Sequence, residues 1–233
     1  MNYFDNPKLD QVLANSNLAI FDMNGLIIDD EGVQLEAVNQ MLKEYDIQIS
    51  EDYWINECVG HKASEFLLRI MQENEVNPSL YTVDELGNKK NENYRSLVQE
   101  NLKKLVRPGV FELIKYISED TDKKLAVSTS ASKKEVEIIL GGLGIKDKFE
   151  VIVCGDEVKK GKPDPETYLK VSETTKIKPD TCLVFEDTSI GLQAATSAGM
   201  HCFSVPNKYT QKQDFSRADF VVSDLTPNAK IVL

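Results

Sequence analysis

Short apolar runs that lack polar alternation recur along this chain, near its start and again after about residue 105. Uniformly apolar runs of this length are typical of strands that are buried on both faces of a parallel sheet. Segments with helical spacing of apolar residues lie between the later runs. This alternation predicts an α/β fold with a doubly wound parallel sheet. The predicted strands are Leu18–Phe21, Leu125–Val127, Val151–Val153, Cys182–Phe185, Cys202–Val205 and Phe220–Val222.

The stretch between the first predicted strand and the second contains few such runs. Its apolar residues recur at helical spacing, as in Val38 and Met41, and it is rich in Glu, Asn and Lys. A Pro-Gly pair at residues 108–109 interrupts the helical pattern where the strands resume. We therefore predict a helical domain of residues 32–105, inserted into a discontinuous core domain of residues 1–31 and 106–233.

The net charge of the chain argues against some classes of binding partner. Its 233 residues include 27 Lys and Arg against 38 Asp and Glu, which gives a formal net charge of −11. This balance argues against nucleic acid, because phosphate backbones are bound by clustered Lys and Arg, and against anionic membranes. The sequence has neither a secretory signal pattern nor the roughly 20-residue apolar run of a membrane-spanning helix. We expect a cytoplasmic protein, as a monomer or a small homo-oligomer.

Polar residues follow several of the predicted strands where each strand ends. They are Asp22 after the first strand, Thr129 and Ser130 after the second, Lys162 beyond the third, and Glu186 and Asp187 after the fourth. The carboxyl ends of the strands of an open parallel sheet meet at one edge, where ligands bind. Carboxylates, hydroxyls and a lysine at one edge suit phosphoryl transfer. That reaction needs a nucleophile, a divalent cation held by oxygen ligands, and donors for the phosphoryl oxygens.

Four short motifs, in this order, resemble those of the haloacid dehalogenase superfamily. Within it, the chain is most similar to the capped phosphatases and phosphomutases related to beta-phosphoglucomutase. The motifs are Phe21-Asp22-Met23-Asn24-Gly25-Leu26, Thr129-Ser130, Lys162-Pro163, and Glu186-Asp187 with Gly191. Any one of them is weak evidence, but together they cover essentially the whole chain. The resemblance implies a Rossmann-like core with a small helical cap domain inserted after the first strand.

The resemblance also implies a role for each carboxylate. Asp22 would be the nucleophile that forms an aspartyl-phosphate. Mg²⁺ would be bound by Asp22, by Asp187 and by the backbone carbonyl of Asn24, with Glu186 in a supporting role at the metal. The ion would neutralise the charge that makes a carboxylate a poor nucleophile towards a phosphate. Taken alone, Asp22 or the Glu186-Asp187 pair could instead cap a helix.

The remaining site residues would bind the phosphate ester. By the resemblance, the Thr129 hydroxyl and the Ser130 backbone N–H would donate to phosphoryl oxygens. The Lys162 ammonium would contact both the phosphate and the nucleophile. In the cap, His61 and Lys62 follow Gly60 in the candidate specificity loop and would bind substrate. Each of these residues also has a structural interpretation without a role in binding. Residues 128–130 could form an ordinary turn, Lys162 could be a solvated lysine, and His61 could be a surface residue.

Asn24 departs from the motif, because hydrolases and mutases of the superfamily carry a second aspartate two residues after the nucleophile. That aspartate protonates the leaving oxygen and then deprotonates the attacking water, which an asparagine amide cannot do. General acid–base catalysis of this kind is worth roughly 10²–10⁴-fold. We interpret Asn24 as an engineered substitution that traps a complex, in preference to a natural divergence. Either origin predicts a slow or inactive catalyst.

Together these residues predict a Mg²⁺-dependent phosphatase of a small phosphorylated metabolite, of the sugar-phosphate or nucleoside-monophosphate type. The first alternative is a hexose-phosphate mutase. Gln34 stands near the position where mutases of the superfamily carry a histidine, which favours the phosphatase. The second alternative is a phospho-ligand binder without catalytic activity, in which Asn24 is native.

Overall fold

The computed structural model describes residues 2–232. Its contacts divide the chain into two compact units. The first unit, Met1–Asp29 with Leu102–Leu233, is called the core unit here, and the second, Asp30–Asn101, the helical unit. Whether these units are the folding domains expected at residues 1–31 with 106–233 and at residues 32–105 stays a prediction.

The core unit contains a six-stranded sheet in the order β3-β2-β1-β4-β5-β6, in which every neighbouring pair is parallel. The strands are β1 (Leu18–Phe21), β2 (Lys124–Ser128), β3 (Val151–Val153), β4 (Cys182–Glu186), β5 (His201–Ser204) and β6 (Phe220–Val221). The predicted doubly wound α/β fold is confirmed. Strand ends differ by a residue from the apolar runs; β5, for example, begins earlier because His201 pairs with Leu183.

The strand order reverses at β1, which places a binding crevice beside it. From β1 the chain proceeds to β2 and β3 on one side, and later to β4, β5 and β6 on the other. Phe21 pairs with Val127 of β2 and with Phe185 of β4, so that these three strands end at the same edge. Ligands of such sheets bind at this edge, next to the reversal.

Nine α-helices are described in the chain between residues 2 and 232. They are α1 (Pro7–Asn15), α2 (Glu31–Leu42), α3 (Glu51–Tyr53), α4 (Ala63–Glu73), α5 (Val83–Leu105), α6 (Val110–Asp120), α7 (Lys133–Val136), α8 (Glu166–Thr175) and α9 (Ser189–Ser197). α3 and α7 continue into single π-helical turns at Trp54–Cys58 and Glu137–Gly141. Among the helices described between residues 2 and 232, we find none that combines the length and the hydropathy of a membrane-spanning segment.

The regular elements described within the helical unit are all helices, as its apolar spacing predicts. The Trp54 ring packs edge-on against Phe66 at 5.4 Å, and its Nε1–H donates to Glu31 Oε2 at 2.9 Å. The other buried residues of this unit include Ala37, Val38, Met41, Leu42, Leu67, Ile70, Met71, Leu86 and Val98. Packing of these apolar faces stabilises the unit, because isolated helices are marginal in water.

Two segments of the core unit run side by side next to its boundaries with the helical unit. Ile28 and Val106 form an antiparallel bridge. The Asp29 N–H donates to the Leu105 carbonyl at 2.7 Å, and the Arg107 N–H donates to the Ile27 carbonyl at 3.0 Å. The segment that leaves the core unit is therefore hydrogen-bonded to the segment that returns.

Candidate active site

The segment after β1 places a buried carboxylate at the carboxyl edge of the sheet. The Asp22 N–H donates to the Phe185 carbonyl at 3.0 Å, which continues the pairing with β4, and the Asp22 side chain is only 11% exposed. The chain then turns at Gly25, whose φ of +78° favours glycine. A Cβ at Gly25 would overlap the Asp187 carboxylate. Glycine therefore permits the close approach of this segment to the loop after β4.

Lys162 connects the ends of three strands through its ammonium group. Its Nζ donates to Asp22 Oδ1 at 2.6 Å, to Glu186 Oε1 at 2.7 Å and to the Ser128 carbonyl at 3.1 Å. The side chain is 4% exposed, and Nζ lies 4.9 Å from the centre of the Tyr168 ring. Charge-assisted hydrogen bonds of this length fix both the lysine and the carboxylate that it contacts.

Both carboxylate oxygens of Glu186 accept hydrogen bonds from the protein. Oε1 accepts from Lys162 and from the Tyr168 hydroxyl at 3.0 Å. Oε2 accepts from the Asp187 N–H at 2.9 Å and from the N–H and hydroxyl of Thr188, both at 3.1 Å. A Cβ at Gly191 would overlap this carboxylate, so the start of α9 is also closely packed against it. Glu186 is thus held rigidly in place.

The pKa values follow from burial and from these contacts. Burial raises the pKa of Asp22 to about 7; Lys162 opposes this rise and Glu186 adds to it. Burial alone would lower the pKa of Lys162, but Asp22 and Glu186 outweigh it, and the pKa lies above its ordinary value. Lys162 is therefore positively charged at neutral pH.

The donor set of this edge fits a divalent cation. One oxygen each from Asp22, Glu186 and Asp187 lies within 4.8 Å of the others, and all three residues are buried. Ionised, they carry three negative charges. Against these stand the positive charge of Lys162, which contacts Asp22 and Glu186, and that of Arg107, which interacts electrostatically with Asp187. A buried excess of negative charge is costly unless it is compensated. Oxygen ligands of this kind are those that Mg²⁺ prefers.

The loop after β2 brings Thr129 to the same edge. Thr129 is buried, and its hydroxyl donates to Asn24 Oδ1 at 3.4 Å and accepts from the Ala131 N–H at 3.1 Å. Ser130 is exposed, and its carbonyl lies against Gly155, where a Cβ would overlap it. The structure thus brings together Asp22, Asn24, Thr129, Lys162, Glu186 and Asp187, with Ser130 adjacent in the chain to Thr129.

His61 and Lys62 belong to the helical unit, in the turn that precedes α4. The His61 N–H donates to the Cys58 carbonyl at 3.0 Å, and Gly60 has a φ of +83°. Both side chains are exposed, and Lys62 Nζ lies 4.0 Å from Glu65. Their contact with a substrate stays a prediction.

Sequence reasoning missed several residues that contact the site residues or the turn at Gly25, among them Thr188, which donates to Glu186. Tyr168 donates to Glu186, Asn207 donates to Asp187, and Arg107 donates to the Gly25 carbonyl. Asn207 could have been found from the expectation that polar residues directly after a strand lie at the ligand-binding edge of the sheet. It follows the end of β5 by three residues. Tyr168 lies within a helix and Arg107 before one, and their spacing carries no comparable signal.

Comparison with known proteins confirms the family that the motifs resemble. The model of the family described as haloacid dehalogenase-like hydrolase matches residues 19–205. A phosphorylated carbohydrates phosphatase from Thermotoga maritima is similar to this chain, with 35% identity over 187 residues. The match covers 78% of this chain and 81% of that protein.

Two crystal structures are similar in fold. The first is a mutant of CbbY from Rhodobacter sphaeroides in complex with xylulose-(1,5)bisphosphate; its TM-score is 0.81 at 25% identity, over 90% of this chain and 95% of that chain. The second is a beta-phosphoglucomutase from Clostridium difficile; its TM-score is 0.74 at 27% identity, over 90% of this chain and 92% of that chain.

Proposed function

Because the chain belongs to the haloacid dehalogenase-like hydrolase family, we propose that it is a Mg²⁺-dependent phosphatase of a small phosphorylated metabolite, of the sugar-phosphate or nucleoside-monophosphate type. One observation carries the proposal: the buried ammonium of Lys162 contacts both Asp22 and Glu186, beside Asp187. Phosphoryl transfer needs a positioned nucleophile and a divalent cation. Here a lysine orients the carboxylate, and the excess negative charge of the cluster favours the binding of a cation.

Asp22 is the nucleophile in this proposal. A bond forms between a carboxylate oxygen of Asp22 and phosphorus, the bond between phosphorus and the ester oxygen breaks, and the leaving oxygen takes up a proton from solvent. Water then attacks the phosphorus of the aspartyl-phosphate and returns a proton to solvent, which releases inorganic phosphate and restores the carboxylate. The hydrogen bond from Lys162 to Asp22 Oδ1 supports this role, because it orients the carboxylate and places a positive charge beside the phosphoryl group.

Asp22, Asp187 and the backbone carbonyl of Asn24 would hold Mg²⁺. Bound there, the ion supplies charge neutralisation between the carboxylate and the phosphate. Glu186 takes the supporting role: its two oxygens accept hydrogen bonds from Lys162, Tyr168, Asp187 and Thr188, which favours holding the lysine over direct coordination.

Thr129 and Ser130 bind the phosphoryl oxygens in this proposal. The position of the Thr129 hydroxyl, 3.4 Å from Asn24 Oδ1, supports its role, since the hydroxyl lies beside the segment that carries the nucleophile. The Ser130 backbone N–H would be the second donor. Preorganised donors of this kind stabilise the charge that develops on the phosphoryl group.

In this proposal, Asn24 makes the turnover of the protein lower than it would be with an aspartate at position 24. Its side-chain amide can neither protonate the leaving oxygen nor take a proton from water, although the hydrogen bond from Thr129 holds it next to the site. We expect a rate roughly 10²–10⁴-fold below that of a chain with a carboxylic acid at this position.

The proposed class of substrate is inferred from proteins that are similar to this chain. The Thermotoga maritima protein is named for phosphorylated carbohydrates, and the CbbY structure contains a sugar bisphosphate. We extend this class to the present chain and assign the selection of the leaving group to the helical unit, acting as a cap through His61 and Lys62.

A hexose-phosphate mutase is the second candidate, favoured by the similarity in fold to a beta-phosphoglucomutase. The two activities have different products. A mutase returns a rearranged sugar phosphate and depends on a bisphosphate activator, whereas a phosphatase releases inorganic phosphate. Gln34 supports the phosphatase, because its side chain has no titratable group for acid–base work.

The test is a screen of the Asn24→Asp variant with Mg²⁺ against sugar phosphates and nucleoside monophosphates. We expect the release of inorganic phosphate from at least one sugar phosphate without an added bisphosphate. Rearranged product that requires a sugar bisphosphate would establish the mutase instead. Binding of phosphate esters without turnover, before and after Asn24→Asp, would establish a non-catalytic binder.

A further inference from the structure

A side-chain amide that the motifs do not include contacts the candidate metal-binding carboxylate Asp187. Asn207 follows β5 in the segment Val205-Pro206-Asn207 and is 7% exposed. Its Nδ2 donates to Asp187 Oδ2 at 2.9 Å. A hydrogen bond between two buried side chains fixes the orientation of the carboxylate that accepts it.

The orientation of the Asn207 amide is itself determined by the turn that follows. Its Oδ1 accepts from the N–H groups of Tyr209 at 2.8 Å and Thr210 at 3.2 Å. The Asn207 N–H in turn donates to the Thr210 hydroxyl oxygen at 3.0 Å. Because the carbonyl end of the amide faces these two donors, the NH₂ end faces Asp187.

Arg107 ties this turn to the segment that carries Asp22. Its guanidinium donates to the Gly25 carbonyl at 2.7 Å, to the Val205 carbonyl at 2.6 Å and to the Pro206 carbonyl at 3.1 Å. Gly25 is also the residue at which a Cβ would overlap the Asp187 carboxylate. The carboxylate therefore lies between two segments that a single guanidinium holds together.

We propose that Asn207 is a positioning residue for the metal site: it holds Asp187 in the orientation that binds Mg²⁺. The inference rests on the proposed function, since it concerns the ion which that function requires. Groups that orient metal ligands by hydrogen bonds are worth about 10–100-fold in metal affinity. The donor of Asn207, and not its turn, is the feature that acts on Asp187.

Two substitutions separate the donor from the turn. Asn207→Ser removes the donor to Asp187 but keeps a short hydroxyl that can accept from the turn N–H groups. Thr210→Ala removes the hydroxyl that contacts the N–H and Oδ1 of Asn207, but it keeps the Asn207 amide and the two backbone N–H groups that donate to its Oδ1. The readout is the Kd for Mg²⁺ alone, measured by titration calorimetry on the full chain. Thermal unfolding without metal verifies that each variant is folded, and Asn207→Ala provides a second donor-free variant.

We expect Asn207→Ser and Asn207→Ala to raise the Kd for Mg²⁺ by about 10–100-fold, and Thr210→Ala to leave it close to that of the unchanged protein. Folded donor-free variants that bind Mg²⁺ as tightly as the unchanged protein would overturn the inference. So would an equal loss of affinity in Thr210→Ala. If the unchanged protein itself binds no Mg²⁺, the proposed function fails at its cofactor, which is a different result from either of these.

Discussion

The ammonium nitrogen of Lys162 lies 2.6 Å from Oδ1 of Asp22, and both side chains are almost completely buried. The two residues are 140 positions apart in the chain, so only the parallel sheet, with its strands ending at one edge, brings them together. Glu186, 2.7 Å from the same nitrogen, gives the lysine a second carboxylate. The cluster keeps an excess of negative charge, which a bound cation would compensate.

Replacing the lysine tests the value of this ion pair. Lys162→Met keeps the unbranched shape of the side chain as far as Cε and leaves Asp22 and Glu186 buried without their shared cation. Breaking a buried pair in this way costs about 3–5 kcal/mol, so we expect a loss of free energy of unfolding of that order. Combined with Asn24→Asp, Lys162→Met should lower phosphate release by at least about 10²-fold relative to Asn24→Asp alone, because it removes a group that stabilises the transition state.

Lys160→Met is the matched control, because this lysine side chain is 74% exposed. Its free energy of unfolding should stay within about 0.5 kcal/mol of that of the unchanged protein, as is usual at the surface. Equal urea midpoints for the two variants would contradict a stabilising role for Lys162.

The raised pKa of Asp22 predicts a dependence of stability on pH in the absence of metal. Burial raises this pKa to about 7 from an ordinary 3.8, with Lys162 opposing and Glu186 adding to the rise. The folded state therefore favours the protonated carboxyl, and the resulting stabilisation is present below about pH 4 and is lost as the pH rises through about 7.

Asp22→Asn removes this titration. Its free energy of unfolding should exceed that of the unchanged protein by an amount that grows between about pH 4 and pH 7, to about 2–4 kcal/mol in chelator-treated samples. Asp5→Asn, at an exposed carboxylate of the core unit, serves as the control. A pH-independent difference between Asp22→Asn and the unchanged protein would mean that folding leaves the pKa of Asp22 at its ordinary value.

Substitutions at two glycines test whether the close contact between the segment after β1 and Asp187 matters for stability and for metal binding. Gly25 and Gly144 have similar φ values of +78° and +69°, but a Cβ would overlap Asp187 at Gly25 and would meet open space at Gly144. Both Gly→Ala substitutions impose the left-handed conformation on alanine, at about 1–2 kcal/mol.

Gly25→Ala should therefore destabilise the protein more than Gly144→Ala, and only Gly25→Ala should also weaken Mg²⁺ binding. Chemical unfolding and calorimetry with Mg²⁺ give the two quantities. Similar losses of stability in both variants, with Mg²⁺ affinity unchanged, would show that Asp187 tolerates the added methyl group.

Much of the core and of the site follows from the sequence by one physical rule. Uniformly apolar runs such as Leu18–Phe21 give buried parallel strands, and the polar residues directly after them meet at one edge. That rule by itself predicts Asp22 and Thr129 at one edge of the sheet. The family motifs then add the roles that these residues play.

The remainder depends on packing that a linear pattern does not encode. The hydroxyl of Tyr168 contacts Glu186 because of how α8 packs against the sheet, and Arg107 contacts three carbonyls on two separate loops. Neither contact has a characteristic spacing in sequence. Glu186 illustrates the same limit: its position beside Asp187 indicates a metal site, whereas its hydrogen-bond partners favour the role of holding Lys162.

The most direct test of the proposed mechanism is the rate of phosphate release from a generic aryl phosphate with Mg²⁺. The rate is measured for the unchanged protein, which has Asn24, and for the Asn24→Asp variant. We expect Asn24→Asp to be faster by roughly 10²–10⁴-fold, since it supplies the missing general acid and base. Adding Asp22→Asn to that variant should abolish the activity. Equal rates with Asn and Asp at position 24, or activity that survives Asp22→Asn, would contradict the proposed mechanism.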